Sequence, residues 1–209
     1  MEDAMRISVV LLAAGQSSRM QGRNKLLLDF GGESLVRRTA RTAVSLQPEE
    51  LIVVTGHARA QVEASLAALP LRFVFNPLHE SGQPSSVAAG VAALTVWCDA
   101  VMILPSDLPL IEADDLRFLC NAYRSMDEGS IAVPFFLGTR GNPVIFSSSH
   151  IPEVISGRTN IGCRKLIDNN PELVTQIEAT NDHYIVDLDT SDAYEAALQR
   201  LKTAEWLDA

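Results

Sequence analysis

The chain has 209 residues, 47% of them hydrophobic, and a formal net charge of −9 at pH 7. That length fits one α/β domain with a core of its own. The acidic balance argues against nucleic acid or an anionic membrane as partner, since either asks for a basic face. It is compatible with a nucleotide held by a local basic loop and a divalent cation. Cys98, Cys120 and Cys163 lack C-x-x-C spacing, which argues against a zinc site or disulfide framework and for a reducing, cytoplasmic setting. Residues 1–6 include two acids and no secretory pattern. No apolar stretch approaches the roughly 20 residues of a membrane helix.

Ile7 to Leu12 is an apolar, β-branched run of the kind that a strand buried on both faces of a parallel sheet shows. It ends in Ala13-Ala14-Gly15, small residues that let a ligand approach the backbone. A polar loop follows with Ser17, Ser18, Arg19, Gly22, Arg23 and Lys25. Backbone N–H groups and cations at the carboxyl end of a sheet suit a polyphosphate. Two familiar phosphate loops are excluded. No glycine lies between Gly15 and Gly22 as a dinucleotide fingerprint needs, and Arg23 stands where a P-loop needs lysine. An ordinary strand-to-helix turn with a solvated basic loop is the plain alternative.

Ser34 is a candidate cap for a helix over Leu35–Leu46, with Arg37, Arg38 and Arg41 as its solvated face. Leu51–Thr55 and Leu71–Phe75 read as strands, with an alanine-rich helix from Ala58 to Leu69 between them. This alternation predicts a doubly wound, mostly parallel sheet with helices on both faces. Ser81–Ser86 supplies turn and cap residues before a helix over Val87–Trp97. Pro84 suits a first helical turn. Ser85 and Ser86 place hydroxyls beside free helix N–H groups, a candidate anion or base site, although simple capping also accounts for them.

Asp99–Leu104 is a buried strand running into Pro105-Ser106-Asp107-Leu108-Pro109. Two prolines fix the backbone around one carboxylate, as a Mg²⁺ ligand requires. Glu112, Asp114 and Asp115 are better placed to cap the next helix, Asp114–Ser125. Strands at Ile131–Pro134 and Val144–Phe146 flank Gly138–Pro143, a basic turn that could equally be a plain hairpin. A short helix at Ile151–Ser156 precedes a polar loop carrying Arg158, Arg164 and Lys165. Leu173–Ile177 and His183–Leu188 read as strands, and alternation puts Asp187 and Asp189 on one face of the second. A cation between two such carboxylates would relieve their repulsion. Thr190 is the natural cap of a last helix, Ser191–Trp206.

The run Leu-Ala-Ala-Gly-x-Ser-x-Arg-Met-x-Gly-x-x-Lys, from Leu12 to Lys25, resembles the first motif of nucleotidyltransferases that couple a nucleoside triphosphate to a phosphorylated acceptor. It is most similar to the molybdenum-cofactor cytidylyltransferases, related to molybdopterin-guanine dinucleotide synthases. The later segments resemble that family's motifs as well: Gly82–Val87, Pro105–Pro109, Gly138–Val144, Asn160–Arg164 and Asp187–Asp192. The resemblance spans Ile7 to about Tyr194. It departs from the family's pattern at Pro84, Leu108, Asn142, Asn160, Cys163 and Ser191-Asp192.

The resemblance implies a Rossmann-like nucleotidyltransferase fold in a single domain, with a nucleotide-binding part at about 7–110 and an acceptor-binding part at about 111–190. It implies nucleotide contacts from Leu12, Ala13, Ala14, Gly15, Arg19, Lys25, Gly82, Ser85, Ser86, Pro105 and Ser106. Arg19, Lys25 and Asp107 would be catalytic. Asp107 and Asp187 would hold Mg²⁺ or Mn²⁺, with Asp189 as second choice to Asp187. Arg140, Gly141, Asn142, Pro143 and Arg164 would face the acceptor. Ala14, where related guanylyltransferases have glycine, favours CTP over GTP. The implied reaction joins CTP to molybdenum-loaded molybdopterin and releases pyrophosphate, with a recipient molybdoenzyme as a further partner. GTP or another phosphorylated acceptor, and a non-catalytic cofactor carrier, remain open. A nicotinamide oxidoreductase would need the absent glycine-rich loop and an acid where Thr55-Gly56 stands.

Overall fold

A computed structural model describes residues 5–16, 24–156, 167, 168 and 170–207. In chain order it contains β1 (Ile7–Ala13), α1 (Leu35–Val44), β2 (Leu51–Thr55), α2 (Arg59–Ser65), β3 (Arg72–Phe75), α3 (Gln83–Ala92) and β4 (Ala100–Pro105). Then follow α4 (Ala113–Arg124), β5 (Ile131–Phe136), β6 (Thr139–Arg140), β7 (Val144–Ser147), α5 (Ile151–Ile155), β8 (Val174–Glu178) and α6 (Ser191–Leu207).

The strands form one sheet in the order β3-β2-β1-β4-β7-β5-β6, with β8 also paired to β5. Pairs β1–β2, β2–β3, β1–β4 and β5–β8 are parallel. Strand β7 runs antiparallel to both β4 and β5. The chain winds outward from β1 to β3, then returns to place β4 on the other side of β1. That reversal opens a crevice beyond the carboxyl ends of β1 and β4, where open α/β sheets bind ligands. Because β7 is antiparallel, its first residue, Val144, lies opposite Ile103 near the carboxyl end of β4. The 141–143 turn is thereby delivered to the same edge of the sheet.

Successive residues of the central strands enter different cores. Val9, Leu11 and Ala13 pack with Met102, Leu104 and residues of α1, α2, α4 and α6. Val10, Leu12 and Ala14 pack with Ile103, Val87 and Val91 of α3 and Val154 of α5. Burial on both faces explains why β1 and β4 are nearly continuous apolar runs rather than alternating ones. Helix α3 lies so close to the sheet that a methyl group on Gly90 would overlap Val10 and Val54.

Four features differ from the sequence expectation. Helix α3 starts at Gln83, four residues early, because Gly82 at φ +109° turns the chain and Pro84 sits in the first turn. It stops at Ala92, because the Glu50 carboxylate captures the Thr95 and Val96 N–H groups at 2.6 and 2.9 Å. Trp97 is left 65% exposed. Residues 183–188 are not a strand: a 3-10 turn at Asp182–Tyr184 leads into irregular chain, anchored by buried Tyr184 and Leu188. Ser34 precedes α1 without a side-chain capping bond, its hydroxyl meeting that of Ser65 instead. On α1 only Arg41 is a solvated arginine; Arg37 donates to the Ser65 carbonyl and Arg38 to that of Pro109, its guanidinium over the Phe30 ring. Two other caps match expectation. Glu112 and Asp115 form a capping box on α4, and the Thr190 hydroxyl accepts from the Ala193 N–H at the start of α6.

Candidate active site

A cleft of about 430 Å³ opens at the crevice between β1 and β4. Its walls are the end of β1 (Leu12, Ala14, Gly15, Gln16), the 3-10 turn at Lys25 and Leu26, the 79–86 segment, and Pro105-Ser106-Asp107 after β4. Asp189 closes it from the loop before α6. A smaller pocket of about 240 Å³ adjoins it, lined by Gln83, Pro105, Asp107, Leu108, Arg140, Asn142, Tyr184, Ile185 and Asp187. Gln83, Pro105 and Asp107 belong to both.

The charged centre is a three-way contact. Lys25 Nζ lies 2.7 Å from Asp107 Oδ2 and 2.8 Å from Asp189 Oδ1. Burial works against the lysine's charge, but the carboxylates of Asp107 and Asp189 outweigh it and hold its pKa above the ordinary value. Asp107 is held at the strand end by its neighbours: the Ser106 hydroxyl donates to the Leu12 carbonyl at 2.6 Å, and the Ser106 N–H donates to the same oxygen.

The serines of the α3 start are engaged. Buried Asn76, at the end of β3, donates from Nδ2 to Ser85 Oγ at 2.8 Å and Ser86 Oγ at 3.0 Å, and its Oδ1 accepts from the Leu78 N–H at 2.9 Å. Ser86 lines the cleft; Ser85 instead braces the Leu78–Gly82 turn through the carbonyls at both ends. Across the mouth, Gln16 Nε2 donates to Glu80 Oε1 at 3.0 Å.

On the smaller pocket's side, Arg140 and Asn142 line the wall. Gly141 packs against the Tyr184 backbone, where any side chain would collide, and the Asn142 N–H donates to the Tyr184 carbonyl at 2.8 Å. Pro143 follows a cis peptide bond and is buried. Tyr184 is itself tied to α4 through its hydroxyl, which donates to the Asp115 carbonyl at 2.8 Å. Asp115 also accepts from Asn181 Nδ2 and His183 Nδ1, each at 2.8 Å.

Of the residues singled out in the sequence, Leu12, Ala14, Gly15, Lys25, Gly82, Ser86, Pro105, Ser106 and Asp107 surround the larger cleft. Ala13 points into the core on the other face of β1. Asp189 takes the position beside Lys25, while Asp187 lines the smaller pocket, a consequence of residues 183–188 not alternating as a strand. Arg19 and Arg164 lie outside the described residues. Gln16, His79, Glu80, Asn76 and Tyr184 are not among the candidates read from the sequence. Their only local signal is proximity to the motif segments, and their roles arise from contacts across the chain.

A family model described as the MobA-like NTP transferase domain matches residues 9–175. The chain belongs to that family. The purine catabolism protein PucB of Bacillus subtilis (strain 168) is 34% identical over 196 residues, covering 89% of this chain and 93% of that protein. The crystal structure of Rv0371c from Mycobacterium tuberculosis H37Rv superposes with a TM-score of 0.80 at 24% identity, over 94% of this chain and 100% of that one. Its manganese complex gives 0.77 at 22% identity, over 93% and 99%. Molybdopterin-guanine dinucleotide biosynthesis protein A from Archaeoglobus fulgidus gives 0.66 at 16% identity, over 94% and 99%. This MobA-like protein is therefore a nucleotidyltransferase acting on a nucleoside triphosphate, on the Rossmann-like fold of that family. Among the described residues no helix is long and apolar enough to cross a membrane.

Proposed function

We propose that this MobA-like nucleotidyltransferase transfers CMP from CTP to the phosphate of molybdenum-loaded molybdopterin in the cytoplasm, for delivery to a molybdoenzyme. One observation carries the two-substrate reading: Asp107 lines both the larger cleft and the smaller pocket, so one carboxylate stands where two ligands would meet. The larger cleft would take the nucleotide, built mainly from the 7–110 part, and the smaller pocket the acceptor, built largely from the 111–190 part. The choice of CTP and of the pterin acceptor rests on the motif resemblance, including Ala14 in the cleft floor beside Gly56.

The donor set suits Mg²⁺ or Mn²⁺. Asp107, Asp187 and Asp189 offer hard oxygen ligands, and among the described residues no group of three or more His, Cys, Asp or Glu side chains forms a cage by itself. A cation held by one or two carboxylates and completed by substrate phosphates has that character. The manganese bound by Rv0371c supports the same class of metal. When bound, such a cation would neutralise charge on the α-phosphate and fix its orientation.

The protein's own groups supply the rest. An acceptor phosphate oxygen attacks the α-phosphorus; the new P–O bond forms as the bond to the β-phosphate bridging oxygen breaks, and pyrophosphate leaves with that electron pair. No general base is needed, because the attacking phosphate is already anionic. Asp107 would hold the cation where the two ligands meet, and Lys25, with Arg19, takes charge accumulating on the leaving group. Arg140, with Gly141, Asn142, Pro143 and Arg164, would orient the acceptor.

The test is pyrophosphate release with Mg²⁺, molybdenum-loaded molybdopterin and either CTP or GTP. Release with CTP alone is expected. Release with GTP alone would overturn the base assignment, and CTP binding without release would overturn the acceptor.

A further inference from the structure

We propose that Lys25 is a stand-in cation for the carboxylate pair Asp107 and Asp189, and that it makes divalent-cation binding depend on arrival of the nucleoside triphosphate. The inference rests on the reading that the cleft takes a triphosphate with a divalent cation.

Three segments far apart in the chain converge on one point. The Lys25 ammonium sits 2.7 Å from an oxygen of Asp107 and 2.8 Å from an oxygen of Asp189. The lysine side chain is only 12% exposed. Without a cation between them, two carboxylates so close repel strongly in a partly buried setting. The ammonium relieves that repulsion, and in doing so it fills the space a metal would need to reach the same oxygens. Lys25 also lines the cleft that would receive the phosphates. Its charge is a compact point on a flexible four-carbon stem, so it can exchange one set of anionic oxygens for another.

Triphosphate in the cleft gives the ammonium new partners. Its departure uncovers Asp107 and Asp189 just as the phosphate oxygens that complete a metal shell arrive. Metal and triphosphate should then each strengthen the other's binding by the same factor. Displacing the lysine from two charge-assisted hydrogen bonds, with part of that loss recovered on the phosphates, corresponds to about tenfold in metal affinity.

Binding of Mn²⁺ is measured by equilibrium dialysis on the full chain, alone and with saturating CTP. The wild type is expected to bind Mn²⁺ at least about tenfold more tightly with CTP than without it. Folded Lys25→Met should bind Mn²⁺ alone about tenfold more tightly than wild type, and adding Asp107→Asn to it should abolish that gain. Equal affinity in wild type with and without bound CTP overturns the stand-in role, whether or not the variant folds; failure of CTP itself to bind overturns the nucleotide reading, and Lys25→Met alone then decides the stand-in. So does a folded Lys25→Met that gains nothing. Absence of Mn²⁺ binding in both proteins under both conditions overturns the two-carboxylate site itself and the stand-in with it.

Discussion

Asn76→Ala tests how the cleft is held open. Asn76 is 2% exposed and its side chain makes three hydrogen bonds, two through Nδ2 to the Ser85 and Ser86 hydroxyls and one through Oδ1 from the Leu78 N–H. At about 1 kcal/mol net for each, their loss destabilises the fold by about 3 kcal/mol. The damage should reach function, because these bonds fix the first turn of α3, which contributes Gln83 and Ser86 to the cleft. Urea unfolding and nucleotide binding measure the two effects. Asn76→Asp keeps the acceptor for Leu78 but buries a carboxylate in place of both N–H donors, so it should destabilise at least as much as alanine. Ser85→Ala leaves the bond to Ser86 but removes both the bond from Asn76 and the hydroxyl's shared bond to the Leu78 and Gly82 carbonyls, and should lose about 2 kcal/mol. An Asn76→Ala protein within about 1 kcal/mol of wild type, with unchanged nucleotide affinity, would refute this account.

Asp107→Asn should lower turnover by about 100-fold or more in a pyrophosphate-release assay while leaving the unfolding midpoint near that of wild type, since one positioned charge at the reacting phosphates is worth that much. Gly90→Ala, despite a helix-propensity gain of about 1 kcal/mol, should destabilise, because overpacking against Val10 and Val54 costs about 1–3 kcal/mol; urea midpoints decide the sign. The hydrogen bond to Asp115 raises the His183 pKa from 6.5 against the opposing effect of burial. Its stabilisation is therefore full below 6.5 and lost as pH rises through the folded value. The Asp115 pKa is lowered from 3.8, since hydrogen bonds from His183, Asn181 and the Glu112 N–H outweigh burial, so its contribution is lost only in acid. Thermal unfolding of wild type against His183→Gln should show a wild-type advantage on the order of 1 kcal/mol near pH 6 that shrinks in alkali; equal pH profiles would refute the coupling.

The sheet was legible because its central strands are buried on both faces. Nothing polar interrupts Val9–Leu12 or Val101–Leu104, and small or proline-rich ends mark where each strand meets the cleft. Asp107 stood out because it follows the end of β4 between two prolines, whereas Lys25, well beyond the end of β1, was marked by the basic loop and the motif resemblance; the structure brings the two together. The 183–188 segment was not. Its β-branched and aromatic run, Tyr184-Ile185-Val186, reads as a strand, yet a 3-10 turn leads into irregular chain there, anchored by the Tyr184 bond to Asp115 and its backbone link to Asn142. Local pattern carries no trace of such long-range partners. The expected sharing of one face by Asp187 and Asp189 fails with it: Asp189 pairs with Lys25, while Asp187 lines the smaller pocket. Arg38 shows the same limit: its charge suggested solvent, but its stem and guanidinium cover Phe30.

The division of labour at Asp107 follows from strand direction. Parallel β1 and β4 end at the cleft because every parallel crossover returns the chain to the same edge. The smaller pocket exists because β7 runs the other way, so its leading turn, 140–143, arrives at that edge while β7 itself pairs with β4. Tyr184 then fits against Gly141, which leaves room for nothing larger than a hydrogen there. The two walls facing Asp107 therefore depend on different contacts. Changes at 140–142 can reshape the smaller pocket without touching the contacts that hold Lys25, Ser86 or the end of β1. A substitution such as Arg140→Ala should accordingly alter use of the acceptor and leave nucleotide affinity unchanged. Equal losses for both ligands would show that the two pockets are one rigid unit.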